Sequence, residues 1–142
     1  MIDLSKLRNL SAAKRFPEGM LIIKEGDVSP YCMYIVLMGT VGVYKNYGQP
    51  NELMIALLKP GDFFGEMSLF LLQPRSATVI AIENVIALEI NQPNAYEIAE
   101  KHPDISFFII KTLCTRIHEL NLKLRQETGE PEPEPRSHIC ST

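Results

Sequence analysis

At 142 residues the chain has the length of one domain, enough to bury about two-thirds of the surface its unfolded form would expose. Hydrophobic residues make up 46% and charged ones 22%, a globular composition, and the net charge of −3 argues against a nucleic-acid surface as its main business. No apolar run approaches the ~20 residues that span a bilayer, and Met1-Ile-Asp-Leu-Ser-Lys lacks the apolar core of a signal peptide. Cys32, Cys114 and Cys140 show neither metal spacing nor a disulfide framework, which points to a reducing cytoplasm.

Residues 1–12 carry Ile2, Leu4, Leu7 and Leu10 at helical spacing, predicting a short helix lying on a barrel of strands. Ala13–Phe16 and Leu21–Lys24 read as strands around the turn Pro17-Glu18-Gly19, and Glu25-Gly26-Asp27 makes a second turn. Tyr31–Met38 is apolar on both faces, as in a buried strand; Gly39 breaks it, and Thr40–Tyr47 continues with Val41 and Val43 facing the same way. A hairpin loop at Asn46–Pro50 leads to Glu52–Leu58, which alternates with Leu53, Ile55 and Leu57 on one face.

The strand pattern stops at Pro60-Gly61-Asp62 and resumes at Ala77-Thr78-Val79; between them stand Gly65-Glu66, a short apolar run and Pro74-Arg75-Ser76. Ala77–Ile82 and Val85–Asn91 are two further strands around Glu83-Asn84, the second with Ile86, Leu88 and Ile90 on one side. Many short strands at this spacing indicate an antiparallel sandwich or barrel. From Pro93 the period becomes helical: one helix over Asn94–Lys101, and a second from Pro103, where a helix start tolerates proline, to about Gln126. On the latter Ile110, Leu113, Ile117, Leu120 and Leu124 fall at 3-4-3-4 spacing. Such a seam either packs on the chain's own barrel or meets a second copy. Because Phe107, Phe108 and Ile109 supply another apolar face, a parallel homodimer through helix 103–126 is expected. Residues 127–142, rich in Glu and Pro, are expected to form a flexible tail.

The insert at 61–79 has the chemistry of an anion site. Gly65 lets the backbone approach a ligand closely, and a short helix over Glu66–Leu72 would direct its first N–H groups at a negative charge. Arg75 can fork onto two phosphate oxygens, and Glu66 can accept from a neighbouring sugar hydroxyl, so a phosphorylated sugar suits the cluster better than a free anion. The alternative is that Glu66 and Arg75 simply pair with each other and close a tight loop.

The order Phe64-Gly65-Glu66-Met67-Ser68-Leu69 followed by Pro74-Arg75-Ser76-Ala77-Thr78-Val79 resembles the phosphate-binding cassette of cyclic nucleotide-binding domains. These occur in the catabolite activator protein, cyclic-nucleotide-dependent kinases and cyclic-nucleotide-gated channels. The likeness extends over roughly residues 14–126. It implies a mainly β fold with flanking helices: a jelly-roll barrel (double-stranded β-helix) over 13–91, with a short N-terminal helix, a cassette helix and two C-terminal helices over 93–126. It further implies that Glu66 takes the ribose 2′-hydroxyl and Arg75 the exocyclic phosphate oxygens. The backbone N–H groups of Gly65, Met67, Ser68 and Ala77 would complete the cradle, flanked by Phe64 and Pro74. Ser76 would meet the phosphate or, in cyclic-GMP-selective members, the guanine. Ser68 replaces the Ala or Gly usual in the family. Counting from His102-Pro103-Asp104, Leu120 and Asn121 stand where family members contact the base; Leu120 can only pack there, whereas Asn121 can donate and accept.

The resemblance thus implies a regulatory module over residues 1–126 that binds cyclic AMP or cyclic GMP, cyclic AMP being preferred as the commoner bacterial ligand. The residues offer no nucleophile–base pair and no metal spacing, and Glu66 and Arg75 would bind rather than react, so no enzyme, cofactor or metal is expected. Relatives that bind DNA carry a winged helix-turn-helix after the long helix; only 16 residues follow Gln126, so direct DNA binding by this chain is not expected. The rival readings are a transcription regulator lacking, or cut before, its DNA-binding domain, and a dimerising scaffold that has lost its ligand.

Overall fold

The computed structural model describes residues 3–129. The chain divides into two compact units, Met1–Pro103 and Asp104–Thr142. The first holds α1 (Leu4–Leu7), β1 (Ala13–Phe16), β2 (Leu21–Ile23), β3 (Cys32–Met38), β4 (Val41–Lys45), β5 (Leu53–Leu58), β6 (Phe63–Phe64), α2 (Glu66–Leu71), β7 (Thr78–Ala81), β8 (Val85–Asn91) and α3 (Gln92–Lys101). The strands form two four-stranded antiparallel sheets, ordered β1-β8-β3-β6 and β2-β7-β4-β5. This is the mainly β, jelly-roll architecture with flanking helices that the turn spacing and the cassette implied.

The core lies between the sheets. Cys32, Tyr34, Val36, Phe64, Val85 and Ala87 from one sheet meet Ile23, Val41, Val79 and Ala81 from the other. Period-two alternation explains why β3 and β8 can be apolar throughout. While Cys32, Tyr34 and Val36 enter this core, the alternate residues Met33, Ile35 and Leu37 are equally buried, at 1% exposure or less. Ile86, Leu88 and Ile90 are likewise buried behind Val85 and Ala87. α1 and α2 lie against β3, and α3 lies against β8.

Several elements depart from the sequence reading or add to it. The helix expected over 1–12 is confined to Leu4–Leu7: Asp3 caps its start by accepting from the Ser5 N–H, and backbone turns from Leu10 to Leu7 and from Ala13 to Leu10 lead the chain away. β6 had no strand signature, because two residues between Asp62 and Gly65 are too short for periodicity, yet Phe63 and Phe64 pair with Ile35 and Tyr34. On the edge strand β5 the apolar face points outward: Leu53, Ile55 and Leu57 are exposed, whereas Ala56 and Leu58, opposite Val43 and Val41, turn toward the core.

α3 begins earlier than its proline suggested. Asn91 Oδ1 accepts from the Asn94 N–H (2.9 Å) while the Asn91 N–H donates to Asn94 Oδ1 (2.8 Å), a reciprocal cap that satisfies two otherwise unpaired donors. The second unit holds α4 (Pro103–Thr128) from Asp104 on, and the helix ends two residues later than expected. The tail expected beyond it lies, from residue 130 on, outside the described residues.

Candidate functional site

The insert is built on β6. Phe64 stacks on Tyr34 (ring centroids 5.3 Å, 24°), Phe16 meets Tyr34 edge-on (5.7 Å, 83°), and this aromatic group forms a base for the turn after it. The Tyr34 hydroxyl donates to Glu89 Oε2 (2.9 Å). Burial, followed by its contacts with the Cys32 thiol and Glu89, raises the Tyr34 pKa well above its ordinary value.

Gly65 then takes the left-handed conformation (φ 83°) and caps α2 with no side-chain acceptor. A Cβ there would stand 2.7 Å from Arg75 Nη1 and 2.9 Å from the Cys32 carbonyl, so both its φ and its surroundings require glycine. The Gly65 carbonyl receives the N–H groups of Ser68 (3.2 Å) and Leu69 (3.3 Å), and Arg75 Nη1 at 3.4 Å. α2 closes at Leu72, itself left-handed (φ 55°), whose N–H donates to the Ser68 carbonyl.

Arg75 is 6% exposed. Its Nη1 donates to the Cys32 carbonyl (2.7 Å), and its Nη2 to the Pro30 carbonyl (2.8 Å) and to Cys32 Sγ (3.2 Å). Its backbone is pinned as well: the Arg75 N–H donates to the Asp27 carbonyl and the Gly26 N–H to the Arg75 carbonyl, both at 2.8 Å. Thr78 Oγ1 accepts from the Glu25 N–H, Glu25 Oε1 accepts from the Asn46 N–H, and Lys45 Nζ donates to the Ser76 carbonyl. The arginine-bearing turn is therefore tied to the β2–β3 loop and to the end of β4.

The structure brings Gly65 and Arg75 together, with Phe64, Glu66, Met67 and Ser68 flanking the first along the chain and Pro74, Ser76 and Ala77 flanking the second. Phe64, Ser68, Arg75 and Ala77 are buried, Gly65 and Glu66 half-buried, and Met67, Pro74 and Ser76 exposed. Arg75 does not depend on Glu66 to close the loop: backbone carbonyls and a thiol accept from its guanidinium. Leu120 and Asn121 lie on α4, in the second unit, and are exposed. Sequence reasoning missed the Pro30 and Cys32 carbonyls that hold the guanidinium, since a backbone acceptor leaves no mark on residue type. Among the described residues no group of three or more His, Cys, Asp or Glu could hold a metal, and no helix is long and apolar enough to cross a membrane.

The sequence profile of the cyclic nucleotide-binding domain matches residues 13–102, more than half of the chain. The chain belongs to this family, whose members regulate by binding a ligand. The cyclic AMP receptor protein of Thermus thermophilus is 30% identical over 109 residues, covering 77% of this chain and 50% of its own length. The type II regulatory subunit of the cAMP-dependent protein kinase of Drosophila melanogaster is 34% identical over 91 residues, covering 64% of this chain and 24% of its own. Among solved structures, the catabolite activator protein of Thermus thermophilus superposes with a TM-score of 0.69 at 28% identity, covering 90% of this chain and 60% of that one. The chain thus spans half or less of the length of these curated relatives.

Proposed function

We propose that the chain is a regulatory sensor that binds 3′,5′-cyclic AMP in the cassette at 61–79 and acts by binding rather than catalysis. The observation that carries this reading is Arg75, a buried guanidinium held against a left-handed Gly65 whose added Cβ would meet it at 2.7 Å. In the proposed complex Arg75 takes the exocyclic phosphate oxygens, with the N–H groups of Gly65, Met67, Ser68 and Ala77 and the exposed Ser76 around them. Glu66, at the start of α2, accepts from the ribose 2′-hydroxyl. Leu120 and Asn121 on α4 are the candidates for the base, Asn121 alone offering a donor and an acceptor. The preference for adenine rests on the relatives, two of which carry cyclic AMP in their names.

Association of two copies through α4 belongs to the same proposal, because Ile110, Ile117, Leu120 and Leu124 are all exposed along it. Coverage of half the Thermus receptor favours a variant in which this sensor is the regulatory part of a larger regulator. Isothermal titration of the full chain with cyclic AMP and cyclic GMP tests the reading. Heat with cyclic AMP, and tighter binding than cyclic GMP, is expected. No heat with either nucleotide from folded protein leaves only the scaffold reading.

A further inference from the structure

Ser68 is 3% exposed, and its Oγ is the one buried side-chain polar atom among the described residues with no hydrogen-bond partner. In a helix a serine hydroxyl ordinarily turns back onto a carbonyl of the preceding turn. Here the carbonyl three residues back, that of Gly65, already receives the Ser68 and Leu69 N–H groups and Arg75 Nη1. A buried hydroxyl without a partner is destabilising, and alanine would fill the same space with no unmet polar atom. Natural folds tolerate such an atom where a water, an ion or a ligand supplies the partner.

The neighbours say what kind of partner this is. Ser68 stands in the first turn of α2, one turn from the Gly65 carbonyl that Arg75 Nη1 also reaches. A group arriving beside a fixed cation and a hydroxyl able to donate is an anionic oxygen acceptor. Resting on the cyclic-nucleotide reading above, we infer that the Ser68 hydroxyl donates a hydrogen bond to the cyclic phosphate. Its side chain thereby adds to the cradle what an alanine, offering only its N–H, could not. In the unligated chain the hydroxyl is held in reserve at a cost to stability, and the ligand releases that cost on binding.

The test compares the full chain with its Ser68→Ala variant in two measurements, chemical denaturation without nucleotide and titration with cyclic AMP and its two phosphorothioate diastereomers. Without nucleotide the variant should be as stable as the parent or more so, since an unmet polar atom is removed. Its affinity for cyclic AMP should fall about tenfold, the scale of one charge-assisted hydrogen bond. The parent's discrimination between the diastereomers should narrow in the variant, because one of the two exocyclic oxygens is the acceptor. Equal cyclic AMP affinity in parent and variant overturns the inference, as does a variant that unfolds more easily without nucleotide, which would mean the hydroxyl serves the fold. Unchanged discrimination overturns the assignment to the phosphate. Absence of heat from the parent chain is a different failure: it rejects the cyclic-nucleotide reading itself.

Discussion

Gly65 and Gly19 share a left-handed backbone, φ 83° and 84°, but differ in surroundings: an added Cβ meets Arg75 Nη1 at 2.7 Å and the Cys32 carbonyl at 2.9 Å in the first, and nothing within 4 Å in the second. Replacing each by alanine separates the cost of the conformation from the cost of the contact. The left-handed cost for an L-residue is about 1–2 kcal/mol, offset in part by a gain of about 0.5 kcal/mol from a stiffer unfolded chain, so Gly19→Ala should cost about 1 kcal/mol. In Gly65→Ala the Cys32 carbonyl is backbone and cannot yield, so the guanidinium must withdraw and lose its 2.7 Å bond to that carbonyl. A hydrogen bond from a charged donor adds about 2 kcal/mol, giving a total near 3 kcal/mol. With a urea m-value of about 2 kcal/mol/M, the two midpoints should differ by about 1 M. Cyclic AMP binding should survive in Gly19→Ala and be lost in Gly65→Ala. Midpoints that coincide within a few tenths molar, or a Gly65→Ala variant that binds like the parent, would refute the claim that the guanidinium is seated against this glycine.

Three other outcomes follow from the same geometry. The Tyr34 pKa is raised by burial from its ordinary 10.0, so the neutral phenol favours the fold, and the stability it supplies is complete below pH 10 and lost as pH rises past it. Tyr34→Phe should flatten the decline in stability above pH 10 while costing about 1 kcal/mol at neutral pH for the lost bond to Glu89; parallel alkaline slopes would contradict this. Asn91→Ala removes the acceptor in the cap of α3 and should lower stability by about 1 kcal/mol in urea titrations, leaving cassette binding intact. Ile117→Glu, at an exposed point of the α4 seam, should convert a dimeric mass in light scattering at tens of micromolar into a monomeric one, and a parent that is already monomeric refutes the seam.

What could be read in advance was what residue type and spacing encode. β1 and β8 fall on the expected Ala13–Phe16 and Val85–Asn91 because Pro17-Glu18-Gly19 ends the first and Glu83-Asn84 and Pro93 bracket the second. β6 was illegible, being two residues long and defined only by its pairing with β3. The start of α3 was placed at Asn94 rather than Gln92 because its cap is Asn91 with Asn94, whereas the familiar cap signature ends in Glu or Gln. On β5 periodicity found the apolar face but not the side on which the core would lie: Val41 and Val43 draw Leu58 and Ala56 inward and leave Leu53, Ile55 and Leu57 outside. A sequence pattern gives the two faces of a strand; only its neighbours decide which is buried.

Arg75 is where the two kinds of information meet. Residue type announced a forked cation, and the motif announced a phosphate, yet neither disclosed that the side chain folds inward onto the Pro30 and Cys32 carbonyls while its backbone clasps Gly26 and Asp27. Those bonds hold a charged group at 6% exposure through carbonyl and thiol acceptors. Neutral carbonyl dipoles solvate the guanidinium without cancelling its charge, and under the proposed function that charge is what meets the phosphate. An arginine seated on carbonyls in this way can hold a loop and still serve an anion.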